Sequence, residues 1–163
     1  MPTSRSVQER FAPQSACFGC GPANAKGLRI RSFPSPVGVG GVGGEELVAE
    51  FLPEAHHEAF PGMLNGGICG ALLDCHSNWA AAIHLMATAG TGAPPCTVTA
   101  NFAVVLKRPT PMGIVLSLRA RVVEASVDRA CVEATLTAAG KVTATCVGNF
   151  VAVRDGHPAF HRW

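Results

Sequence analysis

The spacing of apolar residues along this chain changes twice. Leu28-Arg29-Ile30-Arg31-Ser32-Phe33 alternates apolar and polar positions, as a half-buried strand does, until the stretch from Pro34 to Gly44, dense in Gly and Pro, interrupts it. Leu47 to Leu52 resumes the alternation and stops at Pro53, which predicts a second strand paired with the first. From Gly66 to about Ala87 the residues Ile68, Ala71, Leu72, Cys75, Trp79, Ala82, Ile83 and Met86 recur every three or four positions, the period of a helix with one buried face. Asn65 stands just before it, where an Asn side chain accepts hydrogen bonds from the free amides of a first turn. Past a linker from Ala89 to Pro95, strand-like segments follow at 97–106, 114–124, 130–138 and 142–153. Arg108-Pro109-Thr110-Pro111-Met112-Gly113, Ser126-Val127-Asp128-Arg129 and Ala139-Gly140-Lys141 separate them, and such short connections predict an antiparallel meander.

Two strands, one apolar-striped helix and four strands make an α+β chain. A curved antiparallel sheet of about six strands wrapped around the one long central helix covers the stripe and the alternating faces together. The 163 residues suit one domain over 28–155, with an N-terminal arm or cap at 1–27 and a C-terminal tail at 156–163. Composition supports burial over disorder, with 48% apolar against 15% charged residues. The net charge of +2, with Lys and Arg scattered, argues against a nucleic-acid partner. The absence of an apolar run of about 18 residues argues against a membrane span, and the polar start MPTSRSVQERFAPQS against a signal peptide; a cytoplasmic protein is the expectation. Seven cysteines, odd in number and mostly in apolar segments, read as reduced, buried packing residues.

At 100° per residue, Gly67, Gly70, Asp74, Ser77 and Asn78 share one helix flank, away from the stripe centred on Ile68 and Leu72. Each helical glycine costs about 1 kcal/mol relative to Ala, so a ligand or a partner subunit approaching the backbone is a reason for them. The helix N-terminus suits a carbonyl oxygen that gains negative charge, with Gly67 N–H as the best-placed donor. Asp74, two turns on, then serves to hold a water or to attack the carbonyl. A solvated carboxylate beside an ordinary cap is the competing reading of the same residues.

The run His57-Glu58-Ala59-Phe60-Pro61-Gly62-Met63-Leu64-Asn65-Gly66-Gly67-Ile68-Cys69-Gly70-Ala71-Leu72-Leu73-Asp74 resembles the hotdog-fold acyl-CoA thioesterases of the phenylacetate-pathway type. Those proteins carry His, Pro-Gly, His-Gly-Gly and an acidic residue eight positions after the first of the paired glycines, an interval kept from Gly66 to Asp74. Cys17-Phe18-Gly19-Cys20-Gly21-Pro22-Ala23-Asn24-Ala25-Lys26-Gly27-Leu28 is similar to the lead-in of some members. The resemblance implies a hotdog domain that hydrolyses acyl-CoA in a site between subunits of a homodimer or homotetramer, without a cofactor. It implies Asp74 as base or nucleophile, Gly67 as oxyanion donor, and a Ser or Thr facing the acid from the other subunit, a place that Thr97 or Thr99 fills. Asn65 replaces the His of His-Gly-Gly; its amide donates to a carbonyl or water but does not shuttle protons near neutral pH. His57, Gly66 and His76 join the substrate-binding set, although His76, about 200° around the helix from Asp74, also reads as a hydrogen-bonded core histidine.

The remaining candidates carry less. Cys17-x-x-Cys20 is a possible half of a zinc site or a redox pair, but no second ligand pair at zinc spacing follows, so no metal is expected. Cys75 reads as inert packing on the apolar stripe. Gly38 to Gly44 lacks the Lys-Ser or Lys-Thr of a phosphate cradle and reads as a flexible connection. Lys107 and Arg108, at a strand end, suit the phosphates of coenzyme A or simple solvation. The competing functions are a non-catalytic acyl-CoA or lipid-binding hotdog protein and a hotdog enoyl-CoA hydratase or dehydratase.

Overall fold

The computed structural model describes residues 4–36 and 46–163; the Gly38–Gly44 connection lies outside them. The elements run α1 (Val7–Phe11), β1 (Arg31–Pro34), β2 (Glu46–Phe51), a short 3-10 turn (Ala55–His57), β3 (Glu58–Phe60), β4 (Met63–Leu64), α2 (Gly66–Ala89), β5 (Thr97–Leu106), β6 (Leu116–Ala125), β7 (Arg129–Ala138) and β8 (Lys141–Ala152). Six strands form one antiparallel sheet in the order β1-β2-β6-β7-β8-β5, and α2 packs across it, which is the hotdog arrangement.

The order corrects one expectation. β6, β7 and β8 do form a meander, but β5 pairs with β8 instead of β6 and becomes an outer strand. Alternation reports which face of a strand is buried and says nothing about its neighbour. The α1 helix and the β3–β4 hairpin were also absent from the periodic reading, because five residues and three are too few to set a period.

Two signals bound α2. Asn65 Oδ1 accepts from Gly67 N–H at 2.8 Å and Ile68 N–H at 3.2 Å, and Gly90 ends the helix with φ 66°, the left-handed conformation that costs glycine nothing. The buried face is rotated from the stripe expected: Cys69, Leu72, Leu73, His76 and Ala80 are buried, while Ile68, Ala71, Ile83 and Met86 are only partly so. Residues 76 to 82 are buried all round because the sheet covers one side, while the N-terminal segment and the C-terminal Trp163 cover part of the other. The sheet's concave face is built for close approach, with Ala120, Ala134 and Ala144 beside Leu118, Val132, Leu136 and Phe150, all buried.

Candidate functional site

Asp74 projects from the middle of α2 toward the first residues of β5, where its Oδ1 accepts a hydrogen bond from Thr99 Oγ1 at 2.7 Å. Burial raises its carboxyl above the usual range and the Thr99 hydrogen bond opposes the shift, with Cys17 adding to it and Arg162 opposing. A half-buried carboxylate held by one hydroxyl is oriented for chemistry. The partner is Thr99, on the same chain. Thr97, two residues earlier on the strand, is fully buried, and its Oγ1 has no hydrogen-bond partner among the described residues.

The helix N-terminus departs from expectation in a way that bears on chemistry. Gly67 N–H is not free, because it donates to Asn65 Oδ1. Gly66 N–H and Asn65 Nδ2 have no partner among the described residues, so they are the donors this terminus offers. Gly66 lies under the Leu106 side chain and lines a groove of about 380 Å3 with Phe60, Met63, Leu64, Cys69 and the residues 106–110, which include Lys107 and Arg108. The groove thus joins Gly66 to both cations through the β5 end, whose backbone amides at Lys107 and Arg108 are pinned to Thr143 O at 2.8 and 3.3 Å. Along the flank, a Cβ on Gly70 would meet nothing within 4 Å, so this chain's own packing does not require that glycine. A larger groove of about 950 Å3, lined from β1, β2 and β6, contains none of these residues.

Two expected binding residues lie elsewhere. His76 is fully buried: Nε2 faces Leu47 O at 3.0 Å and Nδ1 faces Ser32 Oγ at 2.8 Å. A carbonyl only accepts, so Nε2 carries the proton and Nδ1 accepts from the Ser32 hydroxyl. Ser32 in turn bonds Gln8 through both its hydroxyl and its amide, at 2.9 and 2.8 Å, tying α1, β1, β2 and α2 together. His76 is therefore a core histidine, and burial pushes its pKa down to about 4. His57 is also buried; its Nδ1 accepts from Glu54 N–H at 3.0 Å, its ring stacks on Phe51, and its carbonyl accepts from Asn65 N–H at 2.9 Å. It braces the helix start from behind and does not line the groove.

The 156–163 segment folds back over α2. Trp163 stacks on Trp79 with centroids 4.6 Å apart, and Arg162 Nη1 donates to Thr97 O at 3.1 Å. Arg162 is the cation near Asp74 that the sequence did not point to, since 88 residues separate them.

No protein-family model and no curated protein matches the chain. Solved structures do. A thioesterase superfamily protein from Shewanella loihica PV-4 is 30% identical over 77% of this chain and 91% of its own, with a TM-score of 0.59. A putative thioesterase from Ralstonia eutropha JMP134, described as related to phenylacetic acid degradation, is 25% identical over 82% of this chain and 92% of its own, with a TM-score of 0.61. The PaaI protein from the phenylacetic acid degradation operon of E. coli shares the fold at 18% identity, covering 81% of this chain and 85% of its own with a TM-score of 0.62. Among the described residues no helix is long and apolar enough to cross a membrane.

Proposed function

The chain belongs to the hotdog thioesterase superfamily, and from that premise we propose that it hydrolyses an acyl- or aryl-CoA thioester to the free acid and coenzyme A, with Asp74 as general base or nucleophile. The observation that carries this reading is the carboxylate of Asp74 held by Thr99 on a flank where Gly70 leaves space that this chain does not itself fill.

The geometry supports a site made from two copies. Eight residues of α-helix rise about 12 Å, and an Asp side chain recovers only a few ångströms of that, so one chain's Gly66 amide and Asp74 do not converge on one carbonyl. The outer position of β5 supports the same inference. Its residues Phe102, Val104 and Leu106 pair with Gly148, Cys146 and Ala144 on the helix-facing side of the sheet, yet Phe102 and Leu106 are 43% and 56% exposed. A ten-residue outer strand with exposed apolar side chains invites pairing. Two β5 strands joined edge to edge about a two-fold axis would continue the sheet and set the two α2 helices side by side, the Gly66 end of one toward Asp74 of the other.

In that site the thioester carbonyl oxygen takes hydrogen bonds from Gly66 N–H and Asn65 Nδ2 of one copy. Asp74 of the other copy takes a proton from water as the water oxygen attacks the carbonyl carbon. The tetrahedral intermediate then expels the thiolate of coenzyme A, which receives that proton from Asp74. Direct attack by Asp74 gives an anhydride that water opens to the same products. Lys107 and Arg108, at the groove rim, suit the nucleotide phosphates.

The test separates turnover from binding. Asp74→Asn is expected to abolish hydrolysis while a non-hydrolysable acyl-CoA analogue still binds. Equal residual hydrolysis in the variant would remove Asp74 from the mechanism. Wild type that binds the analogue without turnover would make this a binding protein, a reading motivated by the Asn65 cap that occupies Gly67 N–H.

A further inference from the structure

Three thiols far apart in sequence meet on the back of α2. Cys17, Cys20 and Cys75 place their sulfurs within 4.8 Å of one another, with Cys17 Sγ and Cys75 Sγ 3.8 Å apart. Cys75 thus adds a third ligand to the Cys17–Cys20 pair. A tetrahedral metal with metal–sulfur bonds of about 2.3 Å spaces its thiolates about 3.8 Å apart, so the cluster needs only small side-chain movements to close on one ion.

The surroundings are those of a thiolate site. Cys17-Phe18-Gly19-Cys20-Gly21 closes a tight turn, with Gly21 N–H donating to Cys17 O at 2.8 Å, and it directs the backbone amides of Gly19 and Cys20 at Cys17 Sγ. Amides aimed at a sulfur stabilise its charged form. Trp79 Nε1 donates to Cys20 Sγ at 3.4 Å, an outer contact of the kind that orients a ligating sulfur. Both glycines are required where they stand: a Cβ on Gly19 would overlap Cys75 Sγ, and one on Gly21 would overlap the backbone at residues 15 to 17. Cys20 is buried and Cys17 and Cys75 are partly exposed, which leaves a route for an ion to enter.

We propose that Cys17, Cys20 and Cys75 bind one zinc-class divalent cation as thiolates, with the fourth position open to water. Binding releases up to three thiol protons and leaves the metal's oxidation state unchanged. The ion pins the N-terminal turn to the part of α2 that carries Asp74, one residue from Cys75, and so fixes the helix next to its Asp74–Thr99 contact with β5. The inference is independent of the thioesterase reading.

The experiment uses the full chain, reduced and stripped of metal with a chelator, then titrated with Zn2+ alone and separately with Co2+ as a spectroscopic probe. One equivalent is expected to bind, with sulfur-to-cobalt charge-transfer absorption and three sulfur neighbours by X-ray absorption. Cys17→Ser, Cys20→Ser and Cys75→Ser should each lose the charge-transfer band or weaken binding at least a hundredfold. Trp79→Phe should weaken it by about tenfold. Cys131→Ser, outside the cluster, should bind as wild type, and circular dichroism on each variant separates lost binding from lost fold. No uptake by reduced wild type, or Cys75→Ser binding as tightly as wild type, would overturn the proposal. A disulfide between two of the three thiols in air, with no metal uptake after reduction, would overturn it in favour of a redox pair.

Discussion

The sharpest consequence of the site geometry is a contrast between two threonines on one strand. Thr99 donates a 2.7 Å hydrogen bond to the Asp74 carboxylate, whereas the buried Thr97 hydroxyl has no partner among the described residues. Thr99→Val keeps the shape and removes the donor. A hydrogen bond to a charged, partly desolvated group contributes about 1.5–3 kcal/mol, and if that interaction serves the transition state its loss lowers turnover by roughly 10- to 150-fold. The loss should fall on kcat, with KM little changed, because the bond orients the carboxylate and not the substrate. Thr97→Val replaces a buried unpaired hydroxyl by a methyl group and should leave turnover unchanged with stability equal or slightly higher. Thiol release from an acyl-CoA, with kcat and KM resolved for each variant, measures both. Full kcat in Thr99→Val, or an equal loss in Thr97→Val, would refute the assignment of the carboxylate's partner.

Other substitutions separate the roles of neighbouring residues. Asn65→Ala should cost about 1 kcal/mol in urea unfolding through the lost cap, whereas Asn65→Asp should keep that stability yet lower kcat, because it removes the Nδ2 donor and sets a negative charge beside the developing oxyanion. His76→Ala should destabilise by about 3 kcal/mol or more, since it leaves Ser32 and Leu47 O short of a partner in the core, with KM of the folded protein unchanged; a raised KM with full stability would return His76 to the substrate site. Lys107→Ala and Arg108→Ala should each raise KM a few-fold for coenzyme A thioesters and leave KM for pantetheine thioesters, which lack the nucleotide phosphates, where it was.

How far the sequence was legible follows from the range of each signal. The helix and its start were readable because a period of three to four and an Asn cap are local: Asn65 does accept from Gly67 and Ile68 amides. That same cap occupies the amide the sequence nominated as oxyanion donor, an effect of side-chain conformation that residue type alone does not convey. Thr97 and Thr99 point to one face of one strand, so alternation admits both, and only the strand's position against α2 separates them. The displacement of β5 to the outside of β8 is a matter of pairing order, which no strand pattern records. Cys75 looked like packing because the apolar stripe passes through it; the 54 residues between it and Cys20 hid the contact that the fold makes.

The measurement that tests the central claim most directly is thiol release from a panel of aryl and straight-chain acyl-CoA thioesters, with wild type and Asp74→Ala assayed side by side. The account predicts release by wild type from at least one member of the panel and none above background from the variant. Release that persists in Asp74→Ala, or a wild type that binds these thioesters and leaves every one intact, would contradict it.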